Sequence, residues 1–171
     1  DSIRLQLLPE RNVVQLVSGP MQMELLALPT EDFPEETEFA AEKNYIIPQI
    51  IAKNMIRQVD FAISSEELRP ILTGALWSFE QGQLKMTALD GYRLASRWSP
   101  LPTSDQSPAK VVVPAKALRE LMRLLTDAEE MLQVSIGGTY VAFQFNQVRL
   151  VSRLLEGQFP NTEQFIPPAY Q

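Results

Sequence analysis

The sequence predicts an α+β fold in which two strand–helix–three-strand units place paired helices on one side of antiparallel sheets. Three observations predict it. Tyr45-Ile46-Ile47-Pro48 and Val111-Val112-Val113-Pro114 are short β-prone runs that stop at a proline, 66 residues apart. Each is followed by an apolar stripe at helical spacing: Ile51, Met55 and Val59 in one, Ala117, Leu121 and Leu125 in the other. Each stripe is followed in turn by three β-prone segments with turn residues between them.

The chain opens with strands expected at Ile3–Leu7, Val13–Val17 and Met21–Leu28, closing on Phe33-Pro34. The second full unit closes the same way, three strands and then Phe159-Pro160, 126 residues later. No strand–helix opening precedes the first copy, so residues 1–34 read as the C-terminal part of a preceding domain. Residues 35–44, largely acidic and without apolar periodicity, read as a linker. A complete domain is expected over 45–165, and 166–171 as the start of a linker toward a further domain.

Within 45–165, Pro48 and Pro114 hold the preceding residue extended and are tolerated at a helix start, so each strand turns directly into a helix. After the first helix, strands are expected at Arg69–Phe79, Leu84–Ala88 and Tyr92–Trp98, with turns at Gln81-Gly82-Gln83 and Asp90-Gly91. After the second they are expected at Met131–Ile136, Tyr140–Phe145 and Val148–Ser152, with turns at Gly137-Gly138 and Asn146-Gln147.

Composition narrows the chemistry. The chain has 171 residues, 15 Lys and Arg against 21 Asp and Glu, and neither cysteine nor histidine. That removes disulfides, thiolate nucleophiles, imidazole bases, Cys/His zinc sites and Ser-His-Asp triads. No apolar run approaches the ~20 residues of a membrane span and no basic–apolar leader opens the chain, so neither membrane nor cofactor is expected.

Charge distribution is more informative than its total of −6. Lys53 and Arg57 on the first helix correspond to Arg119 and Arg123 on the second, about 200° around the axis from the apolar stripe. With Lys116 and Glu120 counted, each helix window carries +2, which leaves −10 for the sheets and loops. Basic residues on one exposed helix are commonly just solvated; matching positions on two repeated helices argue for a shared surface. A smooth basic face without a base-reading residue set suits sequence-independent contact with phosphates.

Six segments, in this order, carry a resemblance: Tyr45-Ile-Ile-Pro48, Phe61-Ala-Ile-Ser64, Arg69-Pro-Ile-Leu-Thr-Gly74, Ala88-Leu-Asp-Gly-Tyr-Arg-Leu-Ala95, Val111-Val-Val-Pro-Ala-Lys116 and Ser152-Arg-Leu-Leu-Glu-Gly-Gln-Phe-Pro160. Together they resemble the bacterial DNA polymerase β subunit family, the replication sliding clamps, with Asp-Gly-x-Arg-Leu-Ala and Glu-Gly-x-Phe-Pro the most specific. The resemblance implies a DNA clamp fold and a non-catalytic processivity factor, cytoplasmic and acting at the nucleoid. It implies a ring of two head-to-tail subunits threaded by double-stranded DNA, tethering the replicative polymerase, clamp loader and repair proteins. Lys53, Arg57, Lys116, Arg119 and Arg123 are thereby implied to face the DNA. A cleft for short partner peptides is implied at Arg69, Leu72, Leu89, Gly91, Tyr92, Arg93, Leu94, Pro160 and Phe165. Leu89 and Tyr92 stand where the family often has Thr and His, which makes that wall greasier and bulkier. Glu66 and Glu67 occupy a turn where some members contact DNA, so no such role is carried over.

Two other readings compete. Asp60, Glu66, Glu67, Asp90 and Glu156 supply the carboxylates an acid–base or Mg²⁺ enzyme requires, but Asp90 sits in a turn that favours Asp for backbone reasons. The second is an acidic repeat scaffold that binds proteins without DNA.

Overall fold

In the computed structural model, residues 2–33, 39–102, 107–127 and 129–165 are described. The chain forms two compact units, divided between Glu38 and Phe39.

The first unit is an antiparallel meander of β1 (Arg4–Leu8), β2 (Val13–Ser18) and β3 (Met21–Leu26), in the order β1-β2-β3. Its first connection is a short 3₁₀ turn over Pro9–Arg11. The register pairs Leu5 with Leu16, Leu7 with Val14, Leu16 with Met23 and Val14 with Leu25. Since side chains alternate along a strand, these six share one face of the sheet. Leu5, Leu7, Met23 and Leu25 on that face remain exposed, and Val13 alone among the described residues of this unit is buried. A face this apolar on three strands is a surface built to be covered.

The second unit holds β4 (Lys43–Pro48), α1 (Gln49–Val59), β5 (Gly74–Glu80), β6 (Gln83–Leu89) and β7 (Leu94–Pro100). The same sequence of elements follows as β8 (Ala109–Pro114), α2 (Ala115–Leu124), β9 (Met131–Gly137), β10 (Tyr140–Phe145) and β11 (Val148–Arg153). Two four-stranded sheets result, β11-β10-β9-β4 and β7-β6-β5-β8, antiparallel throughout. The opening strands are exchanged: β4 pairs with β9 of the second repeat and β8 with β5 of the first. Neither repeat therefore has a complete sheet without the other. A backbone bond from Leu155 N to the Val112 carbonyl, 2.9 Å, joins the end of the second repeat to β8.

Both helices begin just after a proline in extended geometry, Pro48 at φ −58° and Pro114 at φ −59°. Each proline is thus the cap rather than the first helical residue. The buried stripe of α1 is Ala52, Met55, Ile56 and Val59, with Ile51 only half-buried; α2 buries Ala117, Leu118 and Leu121. These stripes close over a core centred on Trp77, Tyr45, Phe79 and Phe143. Tyr45 and Phe79 stack with centroids 3.7 Å apart, and Phe143 meets Trp77 edge-on at 5.5 Å.

Three expected boundaries move. The strand expected from Arg69 begins at Gly74, because Pro70, which has no N–H to donate, starts a 3₁₀ turn over Pro70–Leu72. That turn closes with the Thr73 hydroxyl donating to the Pro70 carbonyl at 2.7 Å. The strand expected from Tyr92 begins at Leu94, since the loop before it is held by Asp90. Of the linker expected over 35–44, residues 35–38 lie outside the described residues, and the rest belongs to the second unit. Phe39 stacks on Tyr140 at 6.0 Å, the Glu42 N–H donates to the Ile136 carbonyl at 2.9 Å, and Lys43 and Asn44 are already in β4. The linker expected at 166–171 lies outside the described residues. Among the described residues no helix is long and apolar enough to cross a membrane.

Candidate functional site

Helices α1 and α2 pack against each other, and their polar sides carry the five cationic residues singled out from sequence. Arg57, Lys116, Arg119 and Arg123 are exposed and Lys53 is half-buried, so none is covered by a sheet. Acidic partners accompany them. Lys53 Nζ lies 2.9 Å from Asp127 Oδ1, and Arg119 Nε lies 2.8 Å from Asp60 Oδ1. Lys53 and Arg119 are repeat equivalents, and each reaches the aspartate just past the C-terminal end of the other helix. The seam between the helices is stitched twice by the same device. Arg123 grips Glu120 of its own helix, Nη2 to Oε1 at 2.6 Å, and this hydrogen bond holds the Glu120 carboxyl below the usual carboxylate range. Arg57 Nη2 donates to Asn54 Oδ1 at 2.9 Å.

The separation of charge expected from composition is therefore incomplete. Asp60, Glu120 and Asp127 stand among the basic residues, because helix C-terminal ends and (i, i+3) positions bring them there. Exposed pairs of this kind contribute about 0–1 kcal/mol each and yield readily to a competing anion.

The nine residues of the expected cleft all line one cavity of about 390 Å³. Its floor is apolar: Leu72 from the 3₁₀ turn and Leu89 from the end of β6 are buried, with Leu94 and Pro160 half-buried beside them. Its rim is aromatic and cationic. Tyr92 is 98% exposed, Phe165 is 56% exposed, and Arg69 and Arg93 flank them. The β6–β7 loop owes its shape to one carboxylate. Asp90 Oδ1 accepts the N–H groups of Tyr92 and Arg93 at 3.0 and 3.1 Å, and its Oδ2 accepts Arg93 Nε at 2.8 Å. The Arg93 side-chain bond first, then the two backbone bonds, hold the Asp90 carboxyl below its ordinary value. Gly91 supplies the φ of +95° that this turn requires. Arg93 in turn lies over the Phe61 ring, 5.9 Å from its centroid, a partner that sequence reasoning did not single out.

Three of the five carboxylates weighed as an acid–base set are engaged separately. Asp60 holds Arg119, Asp90 shapes its loop, and Glu156 lies 3.4 Å from Arg153. Among the described residues no group of three or more Asp or Glu side chains is placed to hold a metal ion. Arg97 is the other residue that sequence reasoning missed. It lines a second concavity together with Arg57, and the alternation of β7 around Ala95, which the structure shows to be buried, puts it on the helix-bearing face.

Paired repeats with exchanged strands and two packed helices define a class, that of DNA sliding clamps. The structure superposes on a solved DNA polymerase sliding clamp from Bacillus subtilis with TM-score 0.88 and 35% identity, over 98% of this chain and 44% of that one. A sliding clamp from Pseudomonas aeruginosa gives TM-score 0.85 and 27% identity, over 97% of this chain and 44% of that one. Within that class, residues 46–161 match the family model for the DNA polymerase III beta subunit, central domain, and the chain belongs to this family. The beta sliding clamp of Bacillus subtilis (strain 168) is 39% identical over 150 residues, covering 88% of this chain and 40% of that protein. That of Staphylococcus aureus (strain N315) is 34% identical over 157 residues, 91% of this chain and 41% of that protein. The chain thus spans about 40% of the length of the curated relatives it matches.

Proposed function

We propose that the chain is part of a non-catalytic sliding clamp, a subunit of a head-to-tail ring that encloses duplex DNA and tethers the replicative polymerase in the cytoplasm. The observation that carries this reading is the seam of α1 and α2, where Lys53, Arg57, Lys116, Arg119 and Arg123 lie on adjoining exposed helix faces. Cations with weak carboxylate partners suit loose, screened contact with phosphates. Retention on DNA then comes from ring closure rather than from affinity.

The 390 Å³ cavity is proposed as the seat of short partner peptides from polymerase, clamp loader and repair proteins. An apolar floor with an aromatic, cationic rim fits an apolar side chain flanked by polar ones. Residues 1–34 are proposed to close a preceding repeat, a reading supported by the uncovered Leu5, Leu7, Met23 and Leu25 face; 45–165 is then the middle domain.

Charge reversal at Arg57 and Arg123 tests the reading in the ring assembled from the full-length protein. Retention on circular DNA should fall at least tenfold while peptide binding stays unchanged. A protein scaffold indifferent to DNA would show no such split. The 171-residue chain alone should form no topologically trapped complex on circular DNA.

A further inference from the structure

We infer that Arg57 and Arg97 form a two-guanidinium seat for one DNA backbone phosphate in the groove between α1 and β7, which adds a strand arginine, Arg97, to the five helix positions considered so far. The inference rests on the DNA reading above and extends it to the sheet. The groove is a concavity of about 230 Å³ whose polar lining is Asn54, Arg57, Gln58, Arg97 and Ser99, without a single carboxylate. Arg97 and Ser99 alternate with Ser96 and Trp98 along β7, so they share the side of buried Ala95. That is the side against which α1 packs, and the side on which the helix cations lie.

Competition for the guanidinium groups decides which cations carry the contact. Lys53, Arg119 and Arg123 each hold a carboxylate within 3 Å. A phosphate gains less at those three, because it must first displace a weak carboxylate partner. Arg57 holds only a neutral amide, and among the described residues the Arg97 guanidinium has no hydrogen-bond or ion-pair partner. Two unneutralised planar forks, with amide and hydroxyl donors between them, match the oxygens of a phosphodiester. The Asn54 amide already turns its oxygen to Arg57, which leaves its NH₂ group for the anion.

Duplex binding by the 171-residue chain, followed by anisotropy across a salt series, tests this with R97Q, R97K, R57Q, K116Q and R123Q. R97Q and R57Q should each weaken binding about threefold to tenfold and reduce the slope against log salt by about 1. R123Q should change it less than twofold, and R97K should recover part of the loss. Duplex binding by R97Q equal to that of the parent, with K116Q or R57Q weakened, overturns the inference and leaves the DNA reading standing. Absence of duplex binding by the parent chain, even at low salt, overturns the inference; the DNA reading is tested separately, by retention of the assembled ring on circular DNA. Inorganic phosphate provides the other arm. Should phosphate shift the Arg97 Nε–H resonance while duplex does not, the groove is a free-anion site and the inference fails.

Discussion

Arg119 donates from Nε to Asp60 Oδ1 at 2.8 Å, and this contact is the repeat image of Lys53 on Asp127 at 2.9 Å. Each bond runs from one helix to an aspartate beyond the C-terminal end of the other, so the two bridge the helices in the same way. They also place two carboxylates on the face proposed to meet DNA.

Removing those carboxylates should therefore strengthen DNA binding. Asp60→Asn combined with Asp127→Asn is expected to raise duplex affinity severalfold at low salt. The cost in stability should be no more than about 1–2 kcal/mol, because both pairs are exposed. Unchanged affinity in an anisotropy titration would mean that this seam does not face the duplex.

Within the cleft, the rim and the floor should separate cleanly. Tyr92 is 98% exposed, so Tyr92→Ala should leave the melting temperature in place while weakening a bound peptide about tenfold. Leu72, 4% exposed, is both floor and core. Leu72→Ala should lower affinity and cost about 2–4 kcal/mol of stability together. Calorimetry paired with peptide titration reads both.

Gly74 offers a third check. A Cβ there would lie 2.3 Å from the Val113 carbonyl oxygen, a backbone atom of the strand that β5 pairs with. Gly74→Ala should destabilise by about 2–3 kcal/mol, roughly 4–12 °C in melting temperature, by forcing β8 away from β5. An unshifted melt would mean the exchanged strand is looser than its hydrogen bonds indicate.

Acidification should loosen the β6–β7 loop at an unusually low pH. The Asp90 carboxyl is depressed in the fold, chiefly by Arg93 and then by two backbone N–H groups. Its contribution is fully present above the ordinary aspartate range and disappears as pH falls through the lowered value. The Tyr92 and Arg93 amide resonances should titrate together below that range, and Asp90→Asn should abolish the step. Titration in the ordinary range would show that the carboxylate is not bonded in this way.

Local signals in the chain specify the order of the elements, although the strands expected from Arg69 and Tyr92 begin later, at Gly74 and Leu94. A β-prone run ending in proline is legible at Tyr45–Pro48 and Val111–Pro114, because both proline rules act on adjacent residues. The exchange of β4 and β8 was not legible. Tyr45 pairs with Val134, and nothing within a window of neighbours records which sheet a strand will join. The α1 stripe centres on Ala52 rather than Ile51 because tertiary packing, not the pattern, chooses the buried azimuth. Asp60 and Asp127 were counted with the acidic remainder, since their approach to Arg119 and Lys53 depends on how two distant helices dock. The cleft residues came from family likeness alone; on composition, Leu72 and Leu94 are ordinary strand residues. Arg97 went unnoticed because a lone arginine in a strand carries no periodic signal.

The exchanged opening strand also sets a schedule for synthesis. β4 leaves the ribosome about 90 residues before β9, the one strand it pairs with among the described residues. At ~5–20 residues per second, that leaves it unpaired for roughly 5–20 s. Throughout that wait the nascent chain displays Tyr45 and Ile47, later wholly interior, to whatever else is nearby. Chaperone protection of this segment, or a translational pace that shortens the gap, would reduce that exposure.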